Sequence, residues 1–579
     1  MNRVETGLPD ISSISLLDYN DRRTFNAESL VGRLNYDVLG NIFMQNTIID
    51  LFSPHYPSQA LRRASHVCHA WRECALGHHA LWGAALDVGD PIRWIEECIT
   101  RSGTSSLYDI VLPSLTAHLM SPAHGDWLRT SSQRPRQTIS EIIFSLSSTS
   151  IEVRNLQLGM QVMHRARNAY IKIRKRNWHH VNDALTVAAP NLRFFSLCLQ
   201  GSQQTGDIYD LQENLFDGHA PHLRGLELRG CSCKFTSPVL RNLTTLVVKR
   251  PSSQNVPSLT SWLGILTKMK DLQVVELSYC TAPVTADEDL SNWPTVPLPN
   301  LRSFTLTGYL QVCSFFVTHL SMPDTCAVTV KCYRTVRDDN FTAMMTAVHD
   351  RVQRVPPAKG RTGIFLQATP SGLGFIKQYL DEPRRHEVLY SYYWYSSSRQ
   401  LTEVIAIIPD IVPTLTIAAL GVPDLRLDFH NSHGVTGAHA RSLLSVFESV
   451  QHLHMVMPYT VWRVLAAMRV EGAEEDAEGA VAADVEAGAA ALLPELKSLL
   501  LEHVIFEDDS PKMPKADDLI QFIFGRPNIE KVALVNCEPV EYIVEELELF
   551  GITCTTTGPV TKPISIDSQP STVITGLLS

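Results

Sequence analysis

A six-residue apolar pattern recurs through the second two thirds of the chain and restricts the folds open to it. An apolar residue is followed by others three and five positions later in "LRFFSL" from Leu192, "LRGLEL" from Leu223, "LTTLVV" from Leu243, "LQVVEL" from Leu272 and "LRSFTL" from Leu301. The pattern returns in "VQHLHM" from Val450, "LKSLLL" from Leu496 and "IEKVAL" from Ile529. The last two apolar positions of each copy are two residues apart, so on a strand they share one face. Leu226 and Leu228 are thus predicted to enter a core, with Glu227 and Arg229 projecting from the opposite face. A single such strand cannot bury its own apolar side, and copies have to stack on one another.

In three copies a cysteine, Cys231, Cys280 or Cys537, follows three residues after the last apolar position. This pattern resembles the leucine-rich repeat, L-x-x-L-x-L-x-x-(N/C), in which a short parallel strand is followed by a turn that holds the Cys or Asn. Prolines precede several copies, as in "APNL", "APHL", "LPNL", "LPEL" and "RPNI", where they can end a helix without disturbing the strand. Between Leu301 and Val450 the copies fade. "AVTVKCY", "GIFLQA", "EVLYSYYW", "TLTIAAL" and "DLRLDF" still read as strands there, and "FTAMMTAVHDRVQ" and "GLGFIKQYL" as helical segments. The expected fold over residues 185–555 is an irregular α/β solenoid with a parallel sheet and a long concave face.

Within it "VEGAEEDAEGAVAADVEAGAAA", residues 470–491, reads as an acidic, alanine-rich mobile insertion. Residues 1–30 read as a disordered leader, and the Thr/Ser/Pro-rich tail 556–579 as disordered. The most apolar stretch, "EVIAIIPDIVPTLTIAALGV", is cut by Pro409, Asp410 and Pro413, which predicts two buried strands and no membrane span.

A chain of 579 residues with a formal net charge of -10 gives no support for bulk binding of nucleic acid. The start, "MNRVETGLPDISSISLLDYNDRR", lacks a charged-then-apolar signal pattern. Twelve scattered cysteines without a C-x-x-C pair suggest neither a disulfide framework nor a zinc site, and fit a reducing cytoplasmic or nuclear setting.

Upstream of the repeats the period changes. In "LNYDVLGNIF" the residues Leu34, Val38, Leu39, Ile42 and Phe43 recur at helical spacing, with Asn35 as a candidate N-cap. After "FSPHYPSQ" a second helical stripe runs through Leu61, Ala64, Val67, Cys68, Trp71, Cys74 and Ala75, and Leu81 and Trp82 follow. About fifty residues cannot bury that many large side chains. Each one left in water forfeits roughly 1.5–3 kcal/mol, so the excess points to a docking surface.

"LNYDVLGNIF", a spacer, "LRRASHVCHAWRECAL" and "LWG" resemble the F-box, whose pattern runs Leu-Pro-x-Glu-(Ile/Leu)-Leu-x-x-Ile-Phe, then Ala/Ser-x-Val-Cys-x-x-Trp-Arg-x-x-Ala, then Leu-Trp. Asn35 stands in the place of the proline and Asp37 in that of the glutamate; Asn can cap the helix and Asp keeps the first-turn charge. The longer proline-bearing spacer is similar to that of fungal F-box proteins. The resemblance covers residues 33–83 and implies a short all-α F-box head at 31–88, joined through a helical junction at 89–184 to the repeats.

Catalytic constellations are missing. The chain has no phosphate loop, H-E-x-x-H helix, G-x-S-x-G elbow or G-x-G-x-x-G turn. His78-His79, His179-His180 and the pair His452 and His454 lack the further ligands a metal needs, so no metal or cofactor is expected. "RARNAYIKIRKRNWHH", from Arg165, is basic with aromatics and reads as a solvated helix face at the junction.

An F-box joined to leucine-rich repeats is similar to the substrate receptors of SCF-type ubiquitin ligases. The resemblance implies docking on a Skp-family adaptor, and through it a cullin, while the repeats hold a protein substrate and the chain itself catalyses nothing. The adaptor-facing set would be Leu34, Val38, Leu39, Ile42, Phe43, Leu61, Val67, Cys68, Trp71, Leu81 and Trp82, some of them internal core. Glu227, Arg229, Lys249, Glu276 and Ser278 are candidate substrate contacts. Two alternatives stay open: a repeat scaffold without a ligase role, expected if the N-terminal stripe is buried against residues 90–130, and a hydrolase with a dispersed site.

Overall fold

The computed structural model describes residues 24, 33–47, 57–86, 90–104, 108–111, 150–200, 209–251, 256–282, 293–333, 339–355, 361–369, 372–380, 388–395, 408–429, 436–468, 492–507, 510 and 513–557. Apart from Thr24, the expected leader lies outside the described residues, as do the insertion 470–491 and the tail from 558. The protein is mixed α/β with large, mostly parallel β-structure, and it divides into two compact units at Val256/Pro257.

The first unit opens with helices α1 (Tyr36–Thr47), α2 (Pro57–Ser65), α3 (His69–Gly77), α4 (His79–Ala84) and α5 (Ile92–Arg101). Strand β1 (Tyr108–Val111), α6 (Ser150–Gln161), β2 (Ala166–Arg174) and the short α7 (Trp178–Asn182) follow. Strands β3 (Phe194–Gln200), β4 (Gly225–Arg229) and β5 (Thr245–Lys249) complete a parallel array in the order β1-β2-β3-β4-β5.

The second unit runs α8 (Leu259–Leu266), β6 (Val274–Ser278), β7 (Val296–Pro297), β8 (Ser303–Tyr309), α9 (Leu310–His319), β9 (Leu320–Ser321), β10 (Ala327–Tyr333) and α10 (Asp339–Arg354). It continues through β11 (Thr362–Thr369), β12 (Gly372–Tyr379), β13 (Val388–Tyr395), α11 (Ile408–Ala419), β14 (Asp424–Phe429), α12 (Gly437–Leu444), β15 (His452–Val456) and α13 (Pro458–Met468). It ends with β16 (Ser498–Glu502), α14 (Ala516–Phe524), β17 (Lys531–Val535), α15 (Glu541–Leu549) and β18 (Thr553–Thr557). Its strand order is β6-β8-β10-β13-β12-β11-β14-β15-β16-β17-β18, parallel throughout except where β12 runs antiparallel to β11 and β13. Helices α8 to α15 pack each on the next in sequence order.

All eight copies of the apolar pattern lie on or just before strands, and no residue of any triplet is more than 4% exposed. The residue after the strand takes a left-handed conformation in Gly230, Arg250, Tyr279, Met457, His503 and Asn536, with φ between 46° and 74°. In five of them the N–H donates to the neighbouring strand, at the residue level with the end of its own: Gly230 to Lys249 O at 2.9 Å, Tyr279 to Thr307 O at 2.8 Å, Met457 to Glu502 O at 3.0 Å, His503 to Val535 O at 2.9 Å and Asn536 to Thr557 O at 3.0 Å. This bond turns the chain away from the sheet while leaving no backbone donor unmet. Cys231 and Cys537 lie in the turn that follows, their thiols donating to Leu197 O at 3.9 Å and Leu501 O at 3.5 Å on the preceding strand.

Several expectations are corrected. In "EVIAIIPDIVPTLTIAALGV" residues 408–419 are the helix α11, with Pro413 inside it, where the second strand was expected, and residues 403–407 lie outside the described residues. Ile408, Ile411, Leu415 and Ala418 are buried at helical spacing, and that period outweighs the missing N–H of Pro413. "GLGFIKQYL" is strand β12, not helix, because Gly372 and Gly374 lie beneath the rings of Tyr395 and Tyr393, where a Cβ would overlap them. "RARNAYIKIRKRNWHH" contains strand β2, not a solvated helix: Ala169, Ile171 and Ile173 are buried in alternation with Lys172 and Arg174. The junction 89–184 thus carries strands as well as helices. The stripe from Leu61 to Ala75 is two helices, α2 and α3, broken at His66–Cys68.

Truncating one triplet residue leaves a cavity its neighbours cannot close. Leu228→Ala is expected to lower the unfolding free energy by about 2–5 kcal/mol, and the exposed Arg241→Ala by less than about 0.5 kcal/mol, in urea titrations of the full chain.

Candidate protein-docking site

The N-terminal helices form a small cluster in which α1 touches α2, α3 and α4. Asn35 caps α1, its Oδ1 accepting the Asp37 N–H at 2.9 Å, so this residue does the work that a first-turn proline would do by fixing φ. One side of α1 is closed: Leu39 and Phe43 are 3% and 2% exposed, and Leu61 of α2 is 1% exposed. Trp71 of α3 meets Phe43 edge-on at 5.1 Å and is half-buried. Gly40 lets the α1 backbone approach His78, since a Cβ there would lie 2.6 Å from the imidazole Cδ2. Cys74 donates to Tyr36 O at 3.5 Å, and burial, with Asp37 adding to it, pushes its thiol up.

Leu81 and Trp82 of α4 are sealed, at 0% and 4% exposure. The Trp82 indole N–H donates to Ala75 O at 2.9 Å, and its ring tilts against Trp94 of α5 at 5.4 Å. Arg101 stacks over Trp82 at 4.9 Å and Arg62 over Trp94 at 4.1 Å, with Arg62 also paired to Asp90 at 3.1 Å. Two guanidinium planes thus brace the α4–α5 contact. Trp94, Arg62 and Arg101 were not in the predicted set; the helical spacing of Ile92, Ile95 and Cys98 in "IRWIEECIT" was the available signal.

The other side of α1 is open. Val38 and Ile42, one turn apart, are 46% and 40% exposed, Leu34 just before the helix is 37% exposed, and Val67 in the α2–α3 break is 59% exposed. Cys68 is half-buried. Apart from the half-buried Cys68 and Trp71, the predicted adaptor-facing set separates into two groups. Leu39, Phe43, Leu61, Leu81 and Trp82 are core, which corrects their assignment as contacts, while Leu34, Val38, Ile42 and Val67 remain available to a partner. Aliphatic side chains held in water on a rigid helix offer burial and shape, and no chemistry.

The predicted substrate contacts also need correction. Glu227 does not project into solvent; it is 1% exposed, accepts from Ser196 Oγ at 3.0 Å and pairs closely with Arg229. Glu276 is 8% exposed. Glu227 is shielded by the strands on either side of it, β3 and β5, and Glu276 has β8 beside it, which a strand read singly does not reveal. Arg229 and Lys249 are half-buried and sit in register on β4 and β5, continuing a row that begins with Lys172 and Cys198. Burial lowers the Lys172 ammonium, and Arg229 beside it adds to that, against an opposing pull from Cys198. Ser278 is half-buried opposite Thr307.

The histidines considered as ligands have other partners. His452 Nδ1 lies 2.7 Å from Ser498 Oγ, and His454 Nε2 lies 2.8 Å from Glu502 Oε2. That bond, with Arg426 and His503 nearby, holds the Glu502 carboxyl below its ordinary range. Among the described residues, no three His, Cys, Asp or Glu side chains converge as metal ligands, and no helix is long and apolar enough to cross a membrane.

The two groups on the head predict opposite responses to substitution. Trp82→Ala is expected to cost about 3–5 kcal/mol, whereas Val38→Ser with Ile42→Ser should change stability by less than about 1 kcal/mol, both read by urea unfolding.

Comparison with sequence profiles of known protein families found no match, and comparison with curated proteins found no similar sequence.

Proposed function

We propose that this chain is a substrate-recognition subunit of an SCF-type ubiquitin ligase, with residues 33–83 as an F-box that docks on a Skp-family adaptor. The observation that carries this reading is the apolar stripe left on the outer side of α1, Val38 and Ile42 with Leu34 just before the helix, on a cluster whose inner side is already closed. A stripe of this kind is stabilised when a second polypeptide covers it, at about 25 cal/mol per Å² removed from water.

In this reading the stacked strands and helices form a leucine-rich-repeat solenoid that holds a protein substrate, and the adaptor links the chain to a cullin. The chain breaks and makes no bond. Its part in ubiquitin transfer is proximity, since a tethered substrate presents its lysines to the charged conjugating enzyme at raised effective concentration. A cytoplasmic or nuclear location goes with this role.

A second reading, a repeat scaffold without a ligase, is favoured by one observation. Leu81 and Trp82, part of the same motif, are covered by this chain itself, Trp82 lying against Trp94 of α5.

Because Leu39 belongs to the core, the informative variant leaves it alone. Val38→Asp with Ile42→Asp is expected to abolish co-purification with a Skp-family adaptor while the circular dichroism spectrum and unfolding midpoint stay unchanged. Undiminished capture of the adaptor by this variant would favour the scaffold.

A further inference from the structure

Arg351, in the last turn of α10, is 4% exposed, and a guanidinium keeps its charge at every ordinary pH. Its Nη2 donates to Pro323 O at 3.2 Å and to Cys326 O at 2.7 Å, in the turn that leads into β10. Both acceptors are neutral carbonyls. Among the described residues no carboxylate pairs with Arg351: Asp324, in the same turn, goes to Arg354 at 3.6 Å, and the adjacent Asp350 is exposed. Buried charges in proteins are ordinarily paired, because carbonyl dipoles restore only part of the solvation lost.

Two polar atoms at this place have no hydrogen-bond partner, the Nε of Arg351 and the hydroxyl of Tyr392, and both are buried. Tyr392 stands on β13 level with Val330 of β10, on the helix side of the sheet, and is 0% exposed. Phe375 and Trp394 flank its ring, with centroids at 5.7 Å and 6.3 Å. Burial pushes its hydroxyl up to about 12 and the charge of Arg351 pulls the other way, so the phenol stays a donor and lies within the field of the guanidinium. The two groups do not bond to each other.

Both unmet atoms carry a hydrogen to give. A water between them would bring two further hydrogens needing acceptors, whereas an anion only accepts and also neutralises the guanidinium. We propose that Arg351 and Tyr392 hold a small monovalent anion of the size of chloride inside the second unit. The single uncompensated positive charge sets the valence, and the burial of both side chains sets the size. Nothing in this site depends on what the outer side of α1 binds.

The test is the thermal unfolding midpoint of the full chain in sodium chloride against sodium gluconate, each at about 0.2 M, since gluconate is too large for a sealed site. Chloride is expected to raise the midpoint by about 2–4 °C, and bromide to do the same. Tyr392→Phe removes one donor and keeps the ring. It is expected to lose the chloride increment and, in gluconate, to melt no lower than the unaltered chain, because its hydroxyl has no protein partner to lose. Arg351→Met should lose the increment as well, and Tyr392→Phe carries the test if that variant does not fold. Equal midpoints of the unaltered chain in the two salts would overturn the proposal and leave water at the site. An increment that Tyr392→Phe retains in full would also overturn it, as a general effect of salt.

Discussion

A strand whose helix-facing side is wholly apolar is stable only between neighbours of the same kind, and that requirement organises most of this protein. Leu192, Leu223, Leu243, Leu272 and Leu301 begin copies in which each following pair of apolar residues is shut away from water. The left-handed residue after the strand adds a second coupling, since in five of the six its N–H reaches a carbonyl of the next strand. Burial supplies the driving force, and the turn bond sets the register. Where the pattern lapses, the β11-β12-β13 meander fills the array with antiparallel pairing, which needs no crossover helix between its strands.

The helical head is bound by the same constraint and meets it incompletely. Its inner side is closed by Leu39, Phe43 and Leu61, and α4 is tied to α5 through Trp82 and Trp94 under two arginines. Val38 and Ile42 lie off the middle of that inner side by roughly 80–120° around the helix and stay 46% and 40% exposed. An excess confined to one side of a capped, braced helix has the form of an interface awaiting its other half.

Periodicity made the strand positions legible, because three buried residues recur at fixed spacing and nothing else produces that spacing eight times. Prolines were misleading in residues 408–419, where Pro409 sits in the first helical turn and Pro413 is tolerated inside it. Glycines were misleading in β12, whose Gly372 and Gly374 exist for rings twenty residues away. Of the six left-handed turn residues, only Gly230 and Asn536 are types that favour the conformation; Tyr279, Met457 and His503 adopt it with a carbonyl of the next strand there to accept their N–H. In the head, helical spacing identified the apolar residues but could not divide core from surface. For Leu81 and Trp82 that division depends on α5, which lies beyond the recognisable motif.

The central claim is that the open side of α1 is completed by another protein. Hydrogen exchange of the full chain, with and without a Skp-family adaptor, tests it most directly. Slowed exchange across residues 33–47 and 66–72, with α5 unaffected, is the result predicted; unchanged exchange in those segments at saturating adaptor would contradict it.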